Sequence, residues 1–257
     1  MNNLKSLLLC TFLVFCTNFF GQEADSKQDN LANQIQNPIA DLVSIPFQNN
    51  IDFYDGFSRN TLNIQPVTPF TVEDKFNIIV RTIIPISSNP ITNTTGLGNV
   101  TLSAFFTPAK PGKIIWGLGP ALQFGTNEKY GFQRTSLAPS AVALYQKNGW
   151  TFGGLMQNFF GLGNDASKPE VNLFYMQIFV TKNLANGWYV NSAPIITNDW
   201  KLDEGLVLPI GAGFGKLMKL GKLPVNAQIG YYSFIKHPAN AKGQLRIQAT
   251  FILPKFY

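Results

Sequence analysis

Residues 243–257 read GQLRIQATFILPKFY, and taken two by two they separate into faces. Leu245, Ile247, Ala249, Phe251 and Leu253 fall on one side; Gln244, Arg246, Gln248 and Thr250 fall on the other. A strand sends successive side chains to opposite sides of its sheet. The chain then reaches an aromatic pair, Phe256 and Tyr257. A strand apolar on one face, polar on the other and aromatic at its end suits the closing strand of an outer-membrane β-barrel. There the apolar face meets lipid, the polar face meets the lumen, and the aromatic end lies at the interface. A half-buried strand of a soluble sandwich has the same alternation, so the stretches before it must separate the two.

Composition leans toward the barrel. The 257 residues are only 13% charged, about half the share of an ordinary soluble domain. Hydrophobic residues make up 45%, and the polar remainder is largely Asn, Gln, Ser and Thr; Phe and Gly each number 22. A wall that meets lipid and water on alternate residues needs this mixture of neutral polar and aromatic groups. The net charge is +6, with the lysines and arginines scattered, so no nucleic-acid patch is indicated.

Residues 1–21 read as a signal peptide: Lys5 supplies the positive start, Leu7 to Phe20 the short apolar run, and Gly21–Gln22 the cleavage region. Cys10 and Cys16 lie inside it, so the mature chain would hold no disulfide, cysteine metal site or cysteine nucleophile. No later run is long and apolar enough for a spanning helix. Residues 22–40 form a polar lead-in with a helical turn around Leu31 to Ile35, expected on the periplasmic side or folded into the lumen as a partial plug. Residues 41–257 form the barrel.

The barrel segment divides into about twelve strands, an even number as such barrels require. They are expected at Asp41–Phe53, Asn60–Phe70, Lys75–Ile86, Gly98–Thr107, Lys113–Phe124, Thr135–Gln146, Trp150–Phe160, Val171–Thr181, Gly187–Asn198, Gly205–Lys216, Leu223–Phe234 and the closing stretch. Most alternate clearly. Thr135–Gln146 does so weakly, Gly205–Lys216 is glycine-rich, and Val171–Thr181 is apolar on both faces and gives no orientation. Connections alternate in length: Thr71–Asp74, Pro108–Gly112, Lys147–Gly149, Asn183–Asn186 and Met218–Lys222 are short; Ser88–Gly96, Thr126–Arg134, Gly161–Pro169 and His237–Lys242 are longer. Short turns on one rim and longer loops on the other is the outer-membrane arrangement. Prolines within strands (46, 66, 85, 120, 139, 194 and 209) are expected at bulges or near the rims.

Several stretches together resemble a known family: Ile39–Phe53, Arg59–Phe70, Ile114–Phe124, Gly149–Phe160 and Phe214–Tyr232, with PFQNN and NIQPV the most specific pieces. They are similar to bacterial outer-membrane β-barrels labelled for the "MetA-pathway of phenol degradation", also labelled transporters and sometimes mislabelled neuromedin U. The resemblance implies a porin-like or transporter-like barrel, and the label suggests uptake of aromatic or apolar compounds.

Enzyme chemistry finds little support. His237, the single histidine, sits in a loop beside Pro238, which reads as a surface residue rather than the base of a lipase-type site. Asp199, Asp203 and Glu204 share one loop tip and read as solvated. No metal-ligand spacing occurs, and the GLG pieces at Gly96–Gly98 and Gly117–Gly119 lack the context of a phosphate loop. No catalytic residue, cofactor or metal is expected. The candidate constellation is the inner face: Gln48, Asn50, Asp52, Asn63, Gln65, Asn77, Arg81, Thr101, Gln123, Gln157, Asn191, Asn226, Gln228, Arg246 and Gln248. Two readings stay open, a constriction that selects small-molecule solutes by polarity and charge, and a satisfied network that only holds the barrel together. Barrel closure would bring Arg246 beside Asp52, Asn50 or Gln48. The expected partners are the lipid bilayer and a small solute, with no nucleic acid.

Overall fold

The computed structural model describes residues 26–72, 75–126 and 130–254, without the side chains of 26–30. The expected signal peptide, Lys255, Phe256 and Tyr257 lie outside these. The architecture is a closed antiparallel barrel of twelve strands. In chain order they are β1 Ser44–Phe53, β2 in two pieces (Ser58–Ile64 and Val67–Val72), β3 Phe76–Asn89, β4 in two pieces (Thr94–Leu97 and Val100–Pro108), β5 Ile114–Phe124 and β6 Ser136–Lys147. There follow β7 Trp150–Gly161, β8 Asn172–Asn183, β9 in two pieces (Trp188–Ser192 and Ile195–Asp199), β10 Leu206–Leu220, β11 Leu223–Lys236 and β12 Gly243–Ile252. A helix, α1, precedes them at Ser26–Ile35.

The opening stretch closes the ring. β12 pairs with β1 from Phe53↔Gly243 to Ser44↔Ile252, which sets Arg246 opposite Asn50 and Gln248 opposite Gln48. One rim carries the start of β1, the end of β12 and the tight turns 109–113, 148–149, 184–187 and 221–222. The hairpin at Asn148–Gly149 holds both residues at positive φ, 52° and 73°, as a two-residue turn between twisted strands requires. The other rim carries 54–57, 90–93, 125–126, 130–135, 162–171, 200–205 and 237–242. The loop expected at Ser88–Gly96 is shorter than its composition suggests, because pairing continues from Ile86↔Leu97 to Asn89↔Thr94.

Outside, the barrel exposes Phe76, Phe106, Trp116, Leu118, Phe152, Met156, Phe160, Ile210 and Phe214 among many others. An apolar surface of this extent is suited to lipid, not water. Near the tight-turn rim, Lys182 Nζ lies 5.2 Å from the Trp150 ring centre and Lys216 Nζ 4.8 Å from that of Trp188. Such pairs place rings and amines at the headgroup level.

The prolines meet the expectation in part. Pro66 and Pro194 do split β2 and β9, and Pro209 sits at a register shift. Pro120 and Pro139, however, face each other in mid-strand. Their missing donors point to the other neighbours, where pairing lapses between Ser103↔Ala121 and Phe106↔Leu118, and between Leu137↔Phe160 and Ser140↔Gln157. The ladder between the two prolines is thereby kept whole.

The interior is not uniformly polar. Ile79, Phe105, Val142, Leu144, Leu155 and Phe179 form a buried core inside the barrel, joined by Ile39 from the lead-in and packed against Tyr175. A second cluster, Ala121, Ala138, Phe159 and Val171, packs beside it with Phe132 and Leu173. β8 is apolar on both faces for this reason: its inner set Leu173, Tyr175 and Phe179 meets this core while Phe174, Met176 and Ile178 face outward.

Candidate functional site

Strand alternation and the register turn the inner-face candidates inward. Gln48, Gln65, Asn77, Gln157, Asn226 and Arg246 are buried. Asn63 pairs with Gln48, and Asp52 accepts from Gln244 Nε2 at 2.8 Å. Gln48, Gln65, Arg81, Asn191, Asn226, Gln228, Arg246 and Gln248 gather around one cavity of about 170 Å³. Asn50, Asp52, Asn63, Asn77, Thr101, Gln123 and Gln157 do not line it. Gln157 donates to Ser103 Oγ at 3.1 Å and Ser140 Oγ at 2.9 Å, and Gln123 donates to Thr101 Oγ1 at 3.2 Å. The bonds to Ser140 and Thr101 join neighbouring strands, while the bond to Ser103 runs from β7 to β4 inside the barrel.

The cavity lining mixes polar and apolar side chains. The apolar side chains are interspersed among the polar ones: Val67 stands beside Arg81 across the strand pair, and Phe179 lies between Gln177 and Thr181 on the far side of the barrel. Arg81 Nη2 donates to Gln65 Oε1 at 2.6 Å. Arg246 is the more enclosed. It donates to Ala193 O at 2.8 Å and to Gln244 Oε1 at 3.1 Å, and its guanidinium lies 4.4 Å from the centre of the Tyr232 ring. The chain Arg246–Gln244–Asp52 links it indirectly to the carboxylate expected near it. Among the described residues, Arg246 Nε, Asn191 Oδ1 and Asn226 Oδ1 are buried without a hydrogen-bond partner. No acidic side chain lines the cavity.

At the tight-turn end the lead-in enters the lumen. Beyond α1, Asn37 Oδ1 caps the Ile39 N–H at 3.0 Å. Asn33 accepts from Gln146 Nε2 at 2.8 Å and Asn183 Nδ2 at 2.9 Å. Ile39 is seated over Gly117: a carbon added there would lie 3.1 Å from Ile39 Cδ1 and 3.3 Å from Phe105 Cβ. Residues 34–38, Ala40 and Leu42 form the floor of the cavity.

At the opposite rim, Arg134 is held among carbonyls. It donates to Pro169 O at 3.0 Å and Lys168 O at 2.9 Å, and also to Gly163 O and Asp165 O. This fastens loop 125–135 to loop 162–171. His237 accepts the Ala239 N–H on Nδ1 at 3.1 Å and packs edge-on against Tyr54 and Phe234. Partial burial holds its pKa below the ordinary imidazole value. Asp199 Oδ1 accepts the Lys201 N–H at 3.0 Å, closing its own loop. Among the described residues no group of three potential metal ligands occurs.

The sequence reading missed Tyr232, Tyr175, Gln244 and Ala193. Parity could have found Tyr232, which alternates with Asn226 and Gln228.

With this geometry in view, comparison with solved structures is informative about architecture. The chain has the fold of outer-membrane channels. The COG4313 outer membrane channel from Pseudomonas putida F1 superposes with a TM-score of 0.61 at 14% identity, covering 82% of this chain and 96% of that one. The NanC porin gives 0.54 at 10% identity, with 82% and 100% covered. Outer membrane phospholipase A from Escherichia coli gives 0.45 at 10% identity, with 84% and 98% covered. No protein-family model matches the chain, and no curated protein matches it.

Proposed function

We propose that the protein is an outer-membrane channel for small molecules, and that its solutes are aromatic or apolar compounds carrying a polar group. The observation that carries this reading is the mixed lining of the cavity, in which Val67 and Phe179 stand among amides and two arginines. The unpartnered polar atoms at Arg246, Asn191 and Asn226 support a lumen that takes up water or solute, since buried polar groups otherwise find protein partners. The outward apolar band and the shared fold support the outer membrane as its site. Purified full-length protein in proteoliposomes is expected to pass small sugars in a swelling assay and to give single-channel currents in planar bilayers. A protein that folds in the bilayer and passes neither would sink the reading, leaving the non-transporting barrel favoured by the docked lead-in.

Charge selection follows from the lining. Arg81 and Arg246 are its charged members, so anions are expected to outnumber cations in the current. At about 6 Å in water, one unit charge acts with roughly 0.7 kcal/mol, a change of about threefold in local ion concentration. The same charge depletes cations by that factor, so Arg81→Gln is expected to lower the anion-to-cation permeability ratio by its square, about tenfold, read from the reversal potential in a salt gradient. An unmoved reversal potential would take Arg81 out of the permeation path.

A further inference from the structure

The outward face of β7, β8 and β9 changes character toward the loop rim. Nearer the tight turns it is apolar, with Phe152, Met156 and Ile178 exposed. Toward the loops the same outward positions carry amides: Asn158 on β7, Asn172 on β8 and Asn198 on β9. Asn158 Nδ2 donates to Asn172 Oδ1 at 2.9 Å, and Trp200 Nε1 donates to Asn158 Oδ1 at 3.0 Å. Depth fits the change. Trp150 marks the opposite interface with Lys182 over its ring. From there to Asn158, a strand tilted at about 40° rises roughly 20 Å, close to the ~25 Å height of an apolar band. The amides therefore begin where hydrocarbon gives way to headgroups. Beside them lies a cavity of about 590 Å³, lined by Arg134, Phe160, Lys168, Glu170, Asn172 and Lys201 among others. Its shape is set in advance, because the buried Arg134 holds four carbonyls of loop 162–171. Its amines are only loosely engaged. Lys168 Nζ lies 3.5 Å from Asp165 and Lys201 pairs with Glu170, both in exposed positions, where such pairs contribute little. Both can exchange a carboxylate for a more highly charged anion. Trp200, Phe160 and Leu162 are exposed on the same patch.

We infer that this patch binds the phosphorylated glucosamine disaccharide of lipid A, the headgroup of the outer leaflet. Lys168 and Lys201 take a phosphate as charge-assisted donors. Trp200 offers its indole face to a sugar ring, the Asn172 amide meets the polar groups of the sugar, and Phe160 and Leu162 meet the first carbons of the acyl chains. Phosphate alone does not account for the patch. A glycerophospholipid would engage the lysines and leave the exposed indole and the amides without a partner. The inference needs the outer-membrane placement argued above and is independent of whether solute passes through the lumen.

The test is a titration of full-length protein in maltoside detergent with bisphosphorylated lipid A, read by native mass spectrometry. EDTA is present, so that divalent cations do not bridge lipid to carboxylates. The expected result is saturation at a single lipid A per protein. Lys168→Gln with Lys201→Gln is expected to weaken binding about thirtyfold, each lysine near an anionic headgroup contributing about a factor of five. The control pair, Lys236→Gln with Lys242→Gln, removes two exposed lysines from the loop rim at β11 and β12 and is expected to bind like the parent. All four positions are exposed, so both variants should keep the heat-resistant folded band, which separates loss of binding from loss of fold. Dephosphorylated lipid A should bind the parent as weakly as lipid A binds the Lys168 and Lys201 variant. Phosphatidylglycerol supplies phosphate without sugar, and it should bind the parent no better than lipid A binds Trp200→Leu. Equal binding of lipid A and phosphatidylglycerol, equal loss in the two lysine variants, unchanged binding in Trp200→Leu, or no lipid A on the parent would each overturn the site. Solute flux plays no part in these outcomes, so failure of the site would leave the channel reading standing, and failure of the channel would leave the site.

Discussion

Removing residues 26–40 is expected to raise the single-channel conductance several-fold, because a twelve-stranded barrel is wider than the filled eight-stranded kind and here the lead-in adds to the side chains that obstruct the lumen. Residues 34–38, Ala40 and Leu42 floor the cavity, and Ile39 lies in the lumen core. The lead-in is held by hydrogen bonds from Gln146 and Asn183 to Asn33 and from Thr181 to Gln36, by the packing of Leu31, Ala32, Ile35 and Leu42 against Leu217 and Ile252, and by the seat of Ile39 over Gly117. Ile39 belongs to the lumen core, so displacing it should do part of the same work. Gly117→Leu places a side chain where Ile39 Cδ1 already lies 3.1 Å from the added carbon. The outer face of β5 is untouched, so the barrel is expected to keep its resistance to unfolding in detergent while current noise and mean conductance rise. Unchanged conductance in both variants would mean that the lead-in does not restrict passage. A rise in the deletion alone would leave Gly117 without the seating role.

The fold was legible because lipid and water act on alternate residues. GQLRIQATFI at Gly243–Ile252 could be oriented from its letters, as could WTFGGLMQNFF at Trp150–Phe160. Alternation fails as a guide where the lumen is itself apolar. Val171–Thr181 could not be oriented because Leu173, Tyr175 and Phe179 meet a core that other strands and the lead-in supply. Thr135–Gln146 looked weakly alternating for a related reason: Val142 and Leu144 point into that same core. The polar half of the candidate site could be read from parity, but its division could not. Nothing local says that Gln157 is consumed by Ser103 and Ser140 while Gln228 faces a cavity; that depends on which strands lie across the lumen. The break at Ala193–Pro194 was visible only as a proline, since its caps come from β11 and β12, far along the chain.

Gly119→Val is expected to cost about 3 kcal/mol or more, at the upper end of what overpacking does, because backbone rather than a side chain stands in the way. A carbon on Gly119 would run into the Ala104 carbonyl oxygen and lie 3.3 Å from Phe105 Cα. The neighbouring proline explains why that oxygen is there. Continuing the register from Ser103↔Ala121 and Phe106↔Leu118 sets Ala104 opposite Pro120. Pro120 has no N–H to draw the Ala104 carbonyl into the ladder, and the oxygen occupies the space that glycine leaves open. The Gly–Pro pair thus acts as a unit, and the two residues should couple. Gly119→Ala alone is expected to lower the midpoint of urea unfolding in lipid vesicles and to weaken the heat-resistant folded band on gels. Pro120→Ala restores a donor, so Gly119→Ala with Pro120→Ala should be less destabilised than the two single changes added together, as expected for neighbours sharing one contact. Gly112→Ala serves as the reference: nothing lies within 4 Å of the added carbon, and its midpoint should match the parent. Strict additivity of the Gly119 and Pro120 changes would show that the carbonyl is held in place by something other than the missing proline donor.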